Sequence, residues 1–281
     1  MSALSLGLIA AMCWGFHDIC VRFLTQKASI TACIFTVLSV GLLFQTSLHI
    51  AVGPDTTFSG AAVAYAGFAG GAFVIASLGL YLAFERGPVK VVAPLIASYP
   101  IFSVCWAVFS GNQVSAIQWI AVLAIIAGVS LVAGLSKDEA NEMPPLGPTI
   151  AYSLLASAGF AATFALGQAA VGQLHDISAT LITRTVAVLF AGLGIVIWRK
   201  KFWPGWGALP WLVAMGIADG VALYCVISAG SLSNEYLASI SASMFGLLTI
   251  VLARVFLKEK MTAAQWGGCL IAFVGVGYLA L

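Results

Sequence analysis

The sequence predicts an all-α integral membrane protein in which ten transmembrane helices form two inverted five-helix repeats. Three observations predict it: an apolar composition, apolar runs of spanning length, and a match between the ends of the two halves. Of 281 residues, 62% are hydrophobic and 8% charged, against roughly 45–50% and about 25% in an average soluble domain. The few polar residues leave apolar runs of about twenty residues, enough at about 1.5 Å per residue to cross roughly 30 Å of hydrocarbon.

The first helix is predicted over Leu4–Leu24, ending where Lys27 returns the chain to water. Its start resembles the apolar part of a signal peptide, but no basic residue precedes it and no A-x-A site follows, so it is read as a span. Helices over Ser29–Val52 and Phe58–Phe84 follow, the latter stopped by Arg86. Val89–Phe109 contains Pro94 and Pro100, which remove backbone donors and bend the fourth span. Ala116–Leu135 completes the first repeat, residues 1–135. A polar connection, 136–147, has charges and prolines that neither stay in lipid nor continue a helix. The second repeat, 148–281, contains Pro148–Val171, Ser178–Trp198, Leu209–Ser231, Glu235–Phe256 and Ala263–Leu281. The six cysteines all sit in apolar runs without C-x-x-C spacing and are read as small packing residues. Gly67 to Gly71 has the G-x-x-x-G spacing of a close helix crossing.

The repeat rests on AIQW at Ala116–Trp119, which returns as AAQW at Ala263–Trp266. Ala127-Gly128-Val129 and Val274-Gly275-Val276 keep the same offset, and Gly15-Phe16 can be laid on Gly159-Phe160. An odd number of spans per repeat turns the second copy upside down, so basic residues should change sides of the repeat. They do: Arg22, Lys27, Arg86 and Lys90 flank the connections after the first and third helices. Arg199, Lys200, Lys201, Arg254, Lys258 and Lys260 flank those after the second and fourth helices of the second half. The positive-inside rule makes these connections cytoplasmic and both termini external.

Two five-helix halves, Trp14-Gly15 in the first helix, prolines in the fourth, and FLKEK at Phe256–Lys260 resemble the EamA-type members of the drug/metabolite transporter superfamily. The sequence departs from that pattern at Gly111-Asn112-Gln113, where a glycine-glutamate pair is usual, and in lacking the Trp-Gly pair in its second half. The resemblance implies a secondary transporter of a small metabolite, commonly an amino acid or related compound, working by alternating access around a central cavity. It also implies a bacterial inner membrane, and in many members cytoplasmic termini, opposite to the charge bias.

Ionisable groups deep in spans carry the chemical expectations, because a charge at mid-bilayer costs roughly 2.5–3.5 kcal/mol on insertion scales. Arg22 lies near the end of its span and on the face of Asp18, so an Asp18–Arg22 pair is available; the alternative is that Asp18 lines a cavity and binds an ammonium or a proton. His17 suits either a hydrogen bond to a neighbouring helix or proton coupling, and since adjacent residues diverge by about 100° on a helix, His17 and Asp18 are not expected to serve one partner. Trp14 shares the face of Asp18. Asp219 is read as a protonated acid, a partner of Arg184, or a cavity carboxylate. Arg184, always charged and too deep to snorkel, is the candidate anchor for a substrate carboxylate. Tyr81, Tyr99 and Tyr224 complete the candidate binding set.

An Arg184 and aspartate pair of opposite charges suits a zwitterion such as an amino acid, with protons as a candidate coupling ion. Neither cofactor nor metal is expected. The expected partners are a small-molecule substrate and the lipid bilayer, and basic residues are too few and too loop-bound for nucleic acid. The alternatives are an intramembrane enzyme, for which no nucleophile and base stand at matched depth, and a non-transporting receptor or scaffold, which has no need of ionisable residues deep in separate spans.

Overall fold

A computed structural model describes residues 1–54, 59–109, 115–135 and 145–278. All regular structure among the described residues is helical: α1 Ala3–Leu24, α2 Ile30–Val52, α3 Gly60–Arg86, α4 Val89–Ala97, α5 Pro100–Phe109, α6 Ala116–Leu135, α7 Leu146–Val171, α8 Asp176–Ile197, α9 Leu209–Ser228, α10 Tyr236–Ala242, α11 Phe245–Leu252 and α12 Ala263–Tyr278. Among the described residues, eight stretches are long and apolar enough to cross a bilayer, counting Tyr236–Leu257 as one; the shorter apolar stretches Val89–Phe102 and Ala263–Tyr278 stand at the predicted fourth and tenth positions. The first residue of the predicted third span, Phe58, most of the polar connection 136–147, the Gly111–Gln113 departure and the last three residues lie outside the described residues.

The predicted fourth and ninth spans are each broken in the middle. In the fourth, α4 ends at Ala97 and α5 restarts at Pro100, whose ring cannot donate to the helix before it. The ninth has no proline. There the hydroxyls of Ser241 and Ser243 donate to the carbonyls of Leu237 and Ile240 at 2.6 and 2.7 Å, competing with the backbone ladder at the α10–α11 break. A π-turn at Ala253–Leu257 then extends α11. The phenol of Tyr99, at the first break, donates to the Ser239 carbonyl just before the second, so the two breaks are tied together.

Large apolar side chains such as Leu43, Phe68, Leu123 and Ile271 are exposed, while Ser153, Thr183, Arg184 and Gln265 are fully buried. A helix bundle whose surface is apolar and whose polar groups point inward is one dissolved in lipid. Lipid is as apolar as leucine, so close packing rather than the hydrophobic effect joins the helices, and small residues mark the crossings. A Cβ on Gly128 of α6 would stand 2.4 Å from the Gly268 carbonyl of α12 and against Ala272; one on Gly275 of α12 would stand 2.9 Å from the Ala121 carbonyl and against Ile125 of α6. Ala121, Ile125 and Gly128 stand to Gly268, Ala272 and Gly275 at the offset that separates Trp119 from Trp266, so these contacts exchange under a two-fold swap. The same swap relates α3 on α7 to α9 on α1, and α3 on α8 to α9 on α2. Gly15 and Gly159 do not exchange: they meet Leu248 of α11 and Ala76 of α3. In the G-x-x-x-G segment the packing residue is Gly70, against the Thr183 carbonyl, whereas Gly67 and Gly71 face open space.

The four basic connections lie at one end of the bundle. Arg22 donates to the Phe84 carbonyl at 2.6 Å, Thr31 to the Lys201 carbonyl at 3.1 Å, and the Lys90 ammonium to the Lys260 carbonyl at 3.2 Å. Glu259, within the FLKEK segment, accepts from the Val89 and Lys90 amides at 3.0 and 3.2 Å and so caps the start of α4 from the other half of the chain.

Candidate functional site

The central cavity is walled by α1, α2, α3, α7, α9 and α11. Positions 14, 17 and 18 of α1 lie one turn apart on one face, and all three side chains line it, together with Tyr81 of α3 and Asp219 of α9. Five of the eight predicted site residues therefore meet in one place. Arg184, with 0% exposure, stands directly behind Asp219. Tyr99 is adjacent, its ring edge-on to Phe164 at 5.2 Å. Tyr224 is elsewhere, donating to Asp176 at 3.2 Å near the start of α8.

Asp219 is held from two sides. The Trp14 indole donates to Oδ1 at 2.9 Å, and Arg184 Nη1 donates to Oδ2 at 2.6 Å, with Nη2 3.4 Å from the Asp219 carbonyl. The guanidinium also stands 4.8 Å over the Phe73 ring, a cation–π contact that is strengthened by the burial of Arg184. It approaches α2 at Gly41, where a Cβ would come within 3.1 Å of the guanidinium carbon. Of the alternatives open for Asp219, the geometry is that of the Arg184 partner.

Asp18 is held from one side only. His17 Nδ1 lies 2.9 Å from Asp18 Oδ1, and His17 Nε2 lies 3.4 Å from the Tyr81 hydroxyl. With the proton on Nδ1, His17 donates to Asp18 and accepts from Tyr81, which gives the polar run Tyr81–His17–Asp18. The other carboxylate oxygen, Asp18 Oδ2, is buried without a hydrogen-bond partner among the described residues. One expectation is corrected here. Arg22 does not pair with Asp18, because the carbonyls of Phe84 and Glu85 at the end of α3 take its guanidinium. His17 and Asp18 share no third partner but bond each other, since the imidazole is long enough to fold back across the divergence between adjacent helical positions.

Sequence reasoning missed the aromatic wall: Phe73, Phe160, Phe164 and Phe245 line the cavity with Trp14 and Tyr81. Trp14 stacks on Phe164 at 5.3 Å and meets Phe245 edge-on at 6.3 Å. Seventeen phenylalanines in the chain give no local pattern that would single out these four. In this state the cavity holds about 20 Å³, little more than the roughly 10–15 Å³ that one water needs, so the aromatic side chains close it. Such a site can neutralise a cation at Asp18 and cover an apolar group with rings. Among the described residues no group of histidine, cysteine or carboxylate side chains has metal-binding geometry.

A solved structure titled "Crystal structure of protein" is 15% identical and superposes with a TM-score of 0.75 over 99% of this chain and 98% of that one, which identifies the fold alone. No curated protein matches the sequence. The model of the EamA-like transporter family matches residues 1–134 and again 147–281, the two stretches whose helices exchange contacts. The chain therefore belongs to the EamA-like transporter family, a family of membrane transporters.

Proposed function

We propose that the protein is a secondary active transporter, of ten spans in two inverted repeats, for a small amphipathic metabolite with a protonated amine. An amino acid or related zwitterion is the specific case. The observation that carries this reading is the free Oδ2 of Asp18, a buried carboxylate oxygen in an aromatic cavity. An ammonium satisfies it, and the rings accept both the ammonium face and an apolar side chain.

Arg184 enters only indirectly. Its guanidinium is committed to Asp219, so a substrate carboxylate reaches it by replacing that carboxylate, with Asp219 taking up a proton as it lets go. Substrate and proton are then coupled through one residue. Access requires the cavity to widen, and α5 is the element placed to move: it packs on α7 beside an apolar cleft of about 510 Å³ that also borders α3, while its counterpart α11 packs on α1 and α4. The grouping of the four described basic connections at one end supports the inverted arrangement and a cytoplasmic location for that end; a bacterial inner membrane remains part of this proposal, on the resemblance alone.

The test is a panel of amino acids, each with its decarboxylated amine and its N-acetyl derivative, added to purified protein while thermal unfolding is followed; a ligand that binds the folded state raises the midpoint. At least one free amine should raise it while its N-acetyl derivative does not. Equal effects from the acetylated partners would remove Asp18 from recognition.

A further inference from the structure

A second apolar recess opens on the outer face of α1, away from the central cavity. It measures about 410 Å³ and is lined by Phe16, Phe23, Trp211, Leu252 and Phe256 among others. The π-turn at Ala253–Leu257 forms one wall, the irregularity that often marks a functional position in a helix. Its lining reaches Phe23, Leu24 and Leu257, next to the basic connections after α1 and after α11. The exposed Lys27 ammonium lies 3.9 Å over the Phe23 ring, and no carboxylate among the described residues pairs with it. The Lys201 carbonyl accepts from Thr31, four residues after Lys27, which sets the Arg199–Lys201 run beside the start of α2.

The segment that follows is unusually aromatic. Four of the eight tryptophans, Trp198, Trp203, Trp206 and Trp211, fall between residues 198 and 211, and all four are exposed, Trp206 to 78%. Tryptophan prefers the headgroup level of a bilayer, where its ring is apolar and its N–H finds a carbonyl. Of the four, Trp211 lines the recess itself, so an interfacial ring and an apolar slot lie beside the Lys27 ammonium, the three features that a phospholipid's ester, chain and phosphate would meet.

We propose that this groove is a binding site for an acidic phospholipid, with one acyl chain lying along Phe16, Phe23, Leu252 and Phe256 and the phosphate held between Lys27 and the Arg199–Lys201 run. The site is independent of the substrate reading.

The test uses full-length protein stripped of lipid in neutral detergent, with dioleoylphosphatidylglycerol, dioleoylphosphatidylcholine and free glycerol phosphate as probes, read by native mass spectrometry and thermal unfolding. Phosphatidylglycerol should stay bound and raise the midpoint, and the other two should not. Combining Lys27→Gln, Lys200→Gln and Lys201→Gln, all at exposed positions, should weaken phosphatidylglycerol binding roughly tenfold or more and leave phosphatidylcholine unaffected. The proposal is overturned if the two lipids bind alike, if the triple variant keeps the preference, or if glycerol phosphate alone reproduces the effect.

Discussion

Arg184 and Asp219 form an ion pair of 2.6 Å between α8 and α9, with no part of the arginine exposed. Removing one partner leaves an uncompensated buried charge, so Arg184→Gln or Asp219→Asn should each cost about 3–5 kcal/mol of stability. Replacing both with apolar residues of similar volume, Arg184→Met with Asp219→Leu, should recover most of that loss. Thermal midpoints of the three variants in detergent check this; a double variant no more stable than the singles would contradict the pairing.

Trp14 contributes one hydrogen bond to the same carboxylate and a ring stacked on Phe164. Trp14→Phe keeps the ring and deletes the donor, leaving Asp219 Oδ1 unsatisfied at about 1–3 kcal/mol. In an Asp219→Asn background the same change should cost less, since the carboxylate it serves is gone. A double-mutant cycle measures the difference, and additivity would mean that the indole acts by packing alone.

The crossing of α6 and α12 has no room for side chains at Gly128 or Gly275. Gly128→Leu and Gly275→Leu should lower the yield of folded protein to similar extents, because the two positions are equivalent under the two-fold swap. Gly67→Leu, facing open space, should be tolerated. Size-exclusion profiles of the three variants decide it.

These features differ in how far they could be read in advance. The helices and the offset between Gly128 and Gly275 were legible because composition and spacing are local. Pro94 and Pro100 announced the bend in the fourth span, but the break at Ser243 had no such marker, only serines that most helices accommodate. The Asp18–Arg22 pair was offered by spacing on one helix and lost to backbone carbonyls at the end of α3, contributed by residues some sixty positions away. The aromatic wall has the same cause: Phe73, Phe160, Phe164 and Phe245 sit on three helices that only tertiary packing brings together.

Glu259 gives the FLKEK segment a structural task. Its carboxylate accepts from two orphan amides at the start of α4, so Glu259→Ala should cost about 0.5–2 kcal/mol, as loss of a helix cap does. Glu259→Gln keeps an acceptor and should lose less. Unfolding midpoints rank the two, and equal losses would mean that charge rather than the cap matters.

Asp18 is the centre of the functional account, and its neutral isostere isolates it. Asp18→Asn keeps an acceptor for His17 and removes a buried charge, so the variant should fold with an unchanged or higher midpoint. The direct measurement is counterflow exchange of a labelled amine, chosen as the strongest stabiliser in the ligand panel, in proteoliposomes of wild-type and Asp18→Asn protein. Wild-type protein should accumulate label against an unlabelled internal pool, and Asp18→Asn should accumulate none. Exchange by folded Asp18→Asn protein at the wild-type rate would contradict the assignment of Asp18 as the ammonium site.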